Sequence, residues 1–500
     1  MVARLSGMDA VSLSIESSTA PAHVVALMVL EASDQLSHAR LHELVSSSLP
    51  QMARFRSRVV GKPLGLGQPV WAEIDDFDPT PHLRRATVPA PGGRRGFADL
   101  IAALTARPLD RHKPLWEMWS IDGLEAGRWA LALKMAPAIT GGVAGLTTVW
   151  RRLLSNSPQD DPTTYLPAEP SLGKPPSIGE LVTDTMRELL ENQVTGVWLI
   201  AGAVPGVLRA TIRRLQGPGA PDQLPRTPSS MRGPVPRTVF NMALTARRAT
   251  AFASIPLEQM EMVTHAFGGS VDNVFLAACT LSLRAWLQRH SVVPDHPLLM
   301  QIPLALADPD SRGVSNQVTF GRLRFPVQLD DPVQVLTDLH AATEKLKMAE
   351  NNSEAVGPAA DFATIAALIP PTVVHAGMQL YSGLRLSQRL LPISHGIVSM
   401  LPAPRLPLYC AGAKVVGMHT AAPLTEGAGL HITLITHGSV GDLSVCVCPD
   451  NVPAVDEIAT GIVESVDVLI AAAEESPRGV TPSVLTEMTS HTKKRPQARR

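Results

Sequence analysis

A mixed α/β protein of two similar-sized domains is the fold class this sequence predicts. Three observations carry it. The chain has 500 residues with 45% hydrophobic content, enough to bury more than one core. Two regions each mix strand-like with helix-like segments, and a Pro-rich stretch separates them.

In the first region, residues 1–165, the clearest element is WALALKMAPAITGGVAG, Trp129 to Gly145. Its apolar run from Trp129 to Met135 stops at Pro137, which biases Ala136 towards an extended backbone. Gly141 and Gly142 then open a segment in which Val143, Leu146, Trp150 and Leu153 recur at helical spacing. Strand, tight turn and helix follow, a unit that presents side chains to a cleft. After Leu154 the composition turns to the Ser/Pro/Asp bias of a loop.

Residues 166–236 read as a Pro-rich linker with helices. Ile178 to Asn192 is amphipathic, with Leu181, Thr185 and Leu189 on one side and Glu180, Asp184 and Glu188 on another. Val194 to Leu208 is an uncharged apolar run of fifteen residues, short of the roughly 20 that span a bilayer and broken by Pro205. With Arg209, Arg213 and Arg214 behind it, this run either packs on the second domain or meets anionic lipid.

The second domain, residues 237–475, carries a helix over Asn273 to Gln288, with Val274, Ala277, Ala278, Leu281 and Ala285 on one face. Asp272 and Asn273 stand at its start as expected caps. Strands are expected around Gly429 to Thr436 and Leu443 to Cys448. Residues 476–500 form a basic tail that lacks the apolar content of a core and is expected to be disordered; weak attraction to acidic lipid headgroups is the alternative to a purely solvated tail.

Composition excludes several function classes. Net charge is -1 and the isoelectric point is near 7.0, so no overall field favours nucleic acid. Cys279, Cys410, Cys446 and Cys448 are too few and scattered for a disulfide framework, and Cys446 and Cys448 share one strand face instead of forming a zinc pair. No GxSxG elbow or HExxH pair occurs. Gly65 and Gly67 lack the spacing and Lys-Ser/Thr ending of a phosphate loop. The N-terminus has no apolar signal core, so the expected location is cytoplasmic, with a peripheral position at the inner membrane surface as the alternative.

The stretch PLWEMWSIDGLEAGRWALALKMAPAITGGVAG resembles the bacterial wax ester synthase/diacylglycerol acyltransferase family, whose turn carries H-H-x-x-x-D-G after a strand ending Lys-x. Lys134 and Gly142 fit that frame. RLSGMDA (Arg4 to Ala10), the segment Ala53 to Gly93 and RPLDRHKPLWE (Arg107 to Glu117) follow in the family's order. In the second half, SVDNVFLAA (Ser270 to Ala278) is similar to an Asn-Asp motif with Asp272 and Asn273 reversed. PRLPLYCAGAKV (Pro404 to Val415) matches a Pro-Leu-Tyr-x-x-Gly segment. Ser399 fits the family's Ser-Asn-x-Pro-Gly-Pro, from which Met400 and Ala403 depart. The resemblance implies two chloramphenicol-acetyltransferase-like α/β domains with an interdomain tunnel, an acyl-CoA co-substrate with no other cofactor or metal, and diacylglycerol or a long-chain alcohol as acceptor. Peripheral contact with membrane or lipid droplet follows from the same resemblance.

Aligned on that motif, the two histidines fall on Ala136 and Pro137 and the aspartate on Gly141, so the family's base and its supporting acid are absent. Ester formation from a thioester needs a base to take the hydroxyl proton, and a proline ring has no titratable group and no amide hydrogen. His431, where the family pattern often has asparagine, and His395 are the candidate substitutes. A lone strand histidine is more often a hydrogen-bonded structural residue. Arg84, Arg85 and Arg111 flank His82 and His112, and arginines can clamp CoA phosphates; solvated charges and local ion pairs are the adopted reading.

Two functions stand side by side. One is an acyl-CoA-dependent O-acyltransferase forming triacylglycerol or wax esters. The other is a catalytically silent paralogue that binds acyl chains or acyl-CoA as a lipid-binding or regulatory protein. A condensation-type enzyme on carrier-protein thioesters shares the motif logic, but the flanking PLWE and PLYCAG segments fit the lipid family better.

Overall fold

The structure, a computed structural model, describes residues 3–140, 149–160, 171–188 except 174, 235–305, 318–351 and 370–475 except 391 and 405. Most of the expected linker, the Val194 to Leu208 run and the basic tail lie outside the described residues.

Fourteen strands are described: β1 (Val24–Leu30), β2 (Ser57–Val60), β3 (Val70–Glu73), β4 (Leu83–Thr87), β5 (Trp116–Asp122), β6 (Trp129–Met135), β7 (Ala249–Pro256), β8 (Leu298–Ala305), β9 (Val318–Phe325), β10 (Gly396–Pro402), β11 (Tyr409–Cys410), β12 (Ala413–Ala421), β13 (Leu430–His437) and β14 (Val440–Val447). They form a six-stranded sheet in the order β11-β12-β1-β6-β5-β4, a second six-stranded sheet in the order β7-β14-β13-β10-β8-β9, and a small β2-β3 pair. Both large sheets mix parallel with antiparallel neighbours. The expected mixed α/β class is what the structure has.

The central strands form where apolar and β-branched residues run between turn formers. VVALMVL of β1 is central in its sheet and buried on both faces, so it shows no polar alternation. The helix Val271–His290 begins two residues earlier than a cap at Asp272 requires. Ser270 is the N-cap, and Asn273 sits three residues on, where its side chain returns to the Ser270 backbone and closes a capping box. Asn273 therefore caps reciprocally, while Asp272 lies inside the first turn, where its charge suits the helix dipole.

The sheets do not follow the order of the chain. β10 and β13 are parallel neighbours, and parallel strands need a crossover connection. Here the chain makes that crossover by leaving for the other sheet, where β12 pairs antiparallel with β1, Val25 opposite Ala421 and Met28 opposite Met418. A division at residues 165 and 237 separates segments of chain, yet the first sheet is completed by residues 409–421 of the second half.

This excursion is fastened by Asp442 on β14, which is 1% exposed. It accepts hydrogen bonds from the Met418 amide at 2.6 Å, Ser254 Oγ at 2.6 Å and His437 Nε2 at 2.7 Å. Burial alone would raise its pKa, but these donors and nearby His419 hold it below the ordinary carboxylate value. Asp442→Ala strands a buried amide and removes charge-assisted bonds, so urea denaturation should show a loss of at least ~2 kcal/mol.

The second sheet's main core lies on one face. Val398, Ile432, Leu434, Leu443 and Val445 pack there with Val274, Leu283 and Trp286 of the helix Val271–His290 and with Ile458 and Ile462 of the helix Val455–Glu475. On the opposite face, Ile435 joins the core of the first sheet, together with Met135 and Ala136, and Leu401 packs against it. The two sheets thus share one apolar core.

Candidate active site

β6 delivers the expected turn. Ala136 follows the strand and donates its amide to Leu115 O at 2.9 Å. Pro137–Thr140 then makes one helical turn, with Pro at a first position where its missing N–H is no loss. Arg54 Nη1 reaches Ala138 O at 3.4 Å. Lys134, buried beneath the turn, donates to Arg107 O at 2.5 Å, and burial lowers its pKa against the raising effect of Glu117. Ala136 is buried at 3% exposure and Pro137 is half-buried. Gly141 and Gly142 lie outside the described residues, as do Val143 and Leu146.

Ala136 lines a tight crevice of only about 10 Å³ with His23, Glu16, Arg111 and Leu115, no more room than one water needs. Arg111 is not a free phosphate clamp, since it donates to Leu13 O and to Glu16 Oε2, each at 2.5 Å. His82 is structural as well: its Nδ1 donates to Trp116 O at 2.7 Å, and its ring stacks on Trp116. Arg84, Arg85 and His112 are exposed.

His23 was not singled out from the sequence, although it stands directly before the β1 run. It is 2% exposed and its Nε2 has no hydrogen-bond partner. Burial, with Lys134 nearby, pushes its pKa down to about 3. No hydroxyl stands beside that nitrogen for it to activate.

The two histidines singled out from the sequence have different surroundings. His395 has no exposed surface. Its Nδ1 accepts from the Leu299 amide at 2.9 Å and its Nε2 donates to Pro236 O at 2.7 Å, so both nitrogens are spent on backbone groups. His431, on β13, donates from Nδ1 to Pro423 O at 3.2 Å. That bond places the proton of the neutral ring on Nδ1 and leaves Nε2 to accept from Ser399 Oγ at 3.2 Å. Ser399 is on β10, and nothing in the sequence alone paired it with His431.

Burial pushes His431 down to about 4, against the raising effect of the Pro423 carbonyl. Between that value and the ordinary 6.5 the unfolded chain binds more protons than the folded one, so stability rises with pH across this window. His431→Asn should reduce the stability lost between pH 7 and pH 5, read as a smaller shift of the urea midpoint than in the unmodified chain.

All four cysteines are buried and free, and Cys446 and Cys448 pack together with Ala20, Leu244 and Leu424. Among the described residues no group of His, Cys, Asp and Glu is placed to hold a metal, and no single helix is long and apolar enough to cross a membrane.

Residues 5–275 match the wax ester synthase/diacylglycerol acyltransferase catalytic domain, and residues 314–469 match the C-terminal domain of the same family. A putative diacylglycerol O-acyltransferase of Mycobacterium tuberculosis strain H37Rv is 29% identical, over 95% of this chain and 92% of its own length. Another, from strain CDC 1551 / Oshkosh, is 31% identical over 91% of this chain and 96% of its own. In fold, the wax ester synthase/diacylglycerol acyltransferase from Marinobacter aquaeolei VT8 aligns with a TM-score of 0.64 at 21% identity, covering 94% of this chain and all of that one. The first condensation domain of the calcium-dependent antibiotic synthetase aligns at 0.51 with 14% identity, covering 95% of this chain and 97% of that one. With both family domains matched in order along the chain, this protein belongs to the wax ester synthase/diacylglycerol acyltransferase family.

Proposed function

We propose that the chain is an acyl-CoA-dependent O-acyltransferase that esterifies diacylglycerol or a long-chain alcohol, and that it works without histidines at the β6 turn. The observation that carries this reading is the retained architecture. Both family domains are present, and β12 ties the two sheets together beside a turn whose backbone is in place. Such a scaffold supports transfer by holding thioester and hydroxyl together, since orientation alone lowers a bimolecular barrier substantially.

An acceptor of this kind is insoluble in water, so the protein meets a lipid surface to collect it. The helix Pro371–Gly383 with the residue after it exposes Val373, Leu380 and Leu384, each more than half accessible, which suits peripheral contact with membrane or lipid droplet.

A second reading has its own support. Pro137 stands where the family's base would be, and loss of a general base costs about 10² to 10⁴ in rate. A silent paralogue that binds acyl chains or acyl-CoA as a lipid-binding or regulatory protein is therefore the competing function. Incubation with labelled long-chain acyl-CoA plus diacylglycerol or a long-chain alcohol separates the two. Labelled triacylglycerol or wax ester supports the transferase; bound label with no ester supports the silent carrier.

A further inference from the structure

Ser399 and His431 lie on one face of adjacent parallel strands. β10 and β13 run in register with Ile397 opposite His431 and Ser399 opposite Thr433. Their neighbours Val398 and Ile432 point into the core of the second sheet. Alternation along a strand turns Ser399 and His431 the other way, the same way as Leu401 and Ile435, which contact the core containing Met135 and Ala136. The pair therefore faces the first sheet.

The hydrogen bonds have the order of an activated nucleophile. Pro423 O holds the Nδ1 proton, and Nε2 is left to accept the Ser399 hydroxyl; hydroxyl, imidazole and an orienting acceptor in sequence is the arrangement that activates serine. His395 spends both nitrogens on the backbone, and His23 has no hydroxyl at its Nε2. Ser399 and His431 are 6% and 9% exposed, and such burial shields an acyl intermediate from water.

We propose that Ser399 and His431 form a catalytic dyad through which the acyl group passes as a covalent ester on Ser399. This rests on the acyltransferase reading and deepens it. Ser399 Oγ attacks the thioester carbonyl while its proton moves to His431 Nε2. The carbon–sulfur bond breaks, and the CoA thiolate leaves with that proton as the free thiol. The acceptor hydroxyl then gives its proton to Nε2 and attacks the acyl carbon, and Ser399 Oγ departs and takes the proton back. One thioester and one alcohol become one ester and one thiol.

The full chain is treated in separate samples with a long-chain acyl-CoA lacking acceptor and with an alkyl fluorophosphonate, which traps activated serine irreversibly. Mass mapping should place one label on the peptide carrying Ser399. Ser399→Ala should abolish it, and His431→Asn, which keeps a hydrogen-bonding side chain but accepts no proton, should slow phosphonylation by about 10²- to 10⁴-fold. A fluorophosphonate label absent from Ser399, or a rate unchanged in His431→Asn, overturns the dyad. Ester synthesis is assayed in parallel. Ester formed at an undiminished rate by Ser399→Ala sinks the dyad and leaves the transferase reading standing. A label on Ser399 with only free fatty acid released upholds the dyad and sinks the transferase.

Discussion

In a His431→Asn background, replacing Pro137 by His is expected to raise ester synthesis by about 10²- to 10⁴-fold, the usual contribution of a positioned general base. Pro137 is the first residue of a short helical turn and is half-buried, so an imidazole fits there without displacing a core side chain. Ala136 differs. At 3% exposure, a histidine would overpack its surroundings at a cost of about 1–3 kcal/mol. The single change is therefore the cleaner test, and adding Gly141→Asp is the next step. Steady-state rates with acyl-CoA and diacylglycerol measure the gain, and Pro137→Gln, polar but without a proton-accepting ring, should not reproduce it.

Lys62→Met is expected to cost about 3–5 kcal/mol, the penalty for stranding a buried charge. The Lys62 side chain has no exposed surface; it bonds Asp184 at 2.6 Å and also pairs with Glu188. Arg4 joins Asp184 at 2.7 Å, and the Gln68 amide donates to Glu188 at 2.8 Å. Gly67 belongs to the same arrangement. With φ at +81°, a Cβ there would stand 2.5 Å from the Glu188 carboxylate, so this glycine makes room for an ion pair, not for a phosphate. The cluster fastens residues 178–188 to the first domain. Hydrogen bonds from Arg4 first, then Lys62, hold Asp184 down at about 2 despite burial. Its contribution is therefore present above about pH 4 and lost as pH falls towards 2. Equilibrium urea denaturation of Lys62→Met at pH 7 measures the main effect.

What could be read from the sequence was local. The β6 run, its stop at Pro137 and the helix after Ser270 all depend on residues close together in the chain. Asn273 was recognisable as a capping residue, although its place three residues inside the cap depends on how Ser270 turns. The features that were not legible are the distant ones. Lys62 meets Glu188 across 126 residues, and a solvated helix face is the natural reading of Asp184 and Glu188 taken alone. The departure of β12 to the first sheet leaves β10 and β13 as parallel neighbours. Without that topology Ser399 and His431, each conspicuous by itself, have no reason to meet. His23 carried a weaker signal, a histidine before an apolar strand, a position ordinarily filled by a satisfied structural residue.

The most direct test of the account follows one sample of the unmodified chain with labelled long-chain acyl-CoA and an acceptor, diacylglycerol or a long-chain alcohol, counting bound label and labelled ester together. Triacylglycerol or wax ester should accumulate beyond one equivalent per chain. Saturable binding of the acyl-CoA with no ester formed would contradict it and leave a protein that holds acyl chains without transferring them.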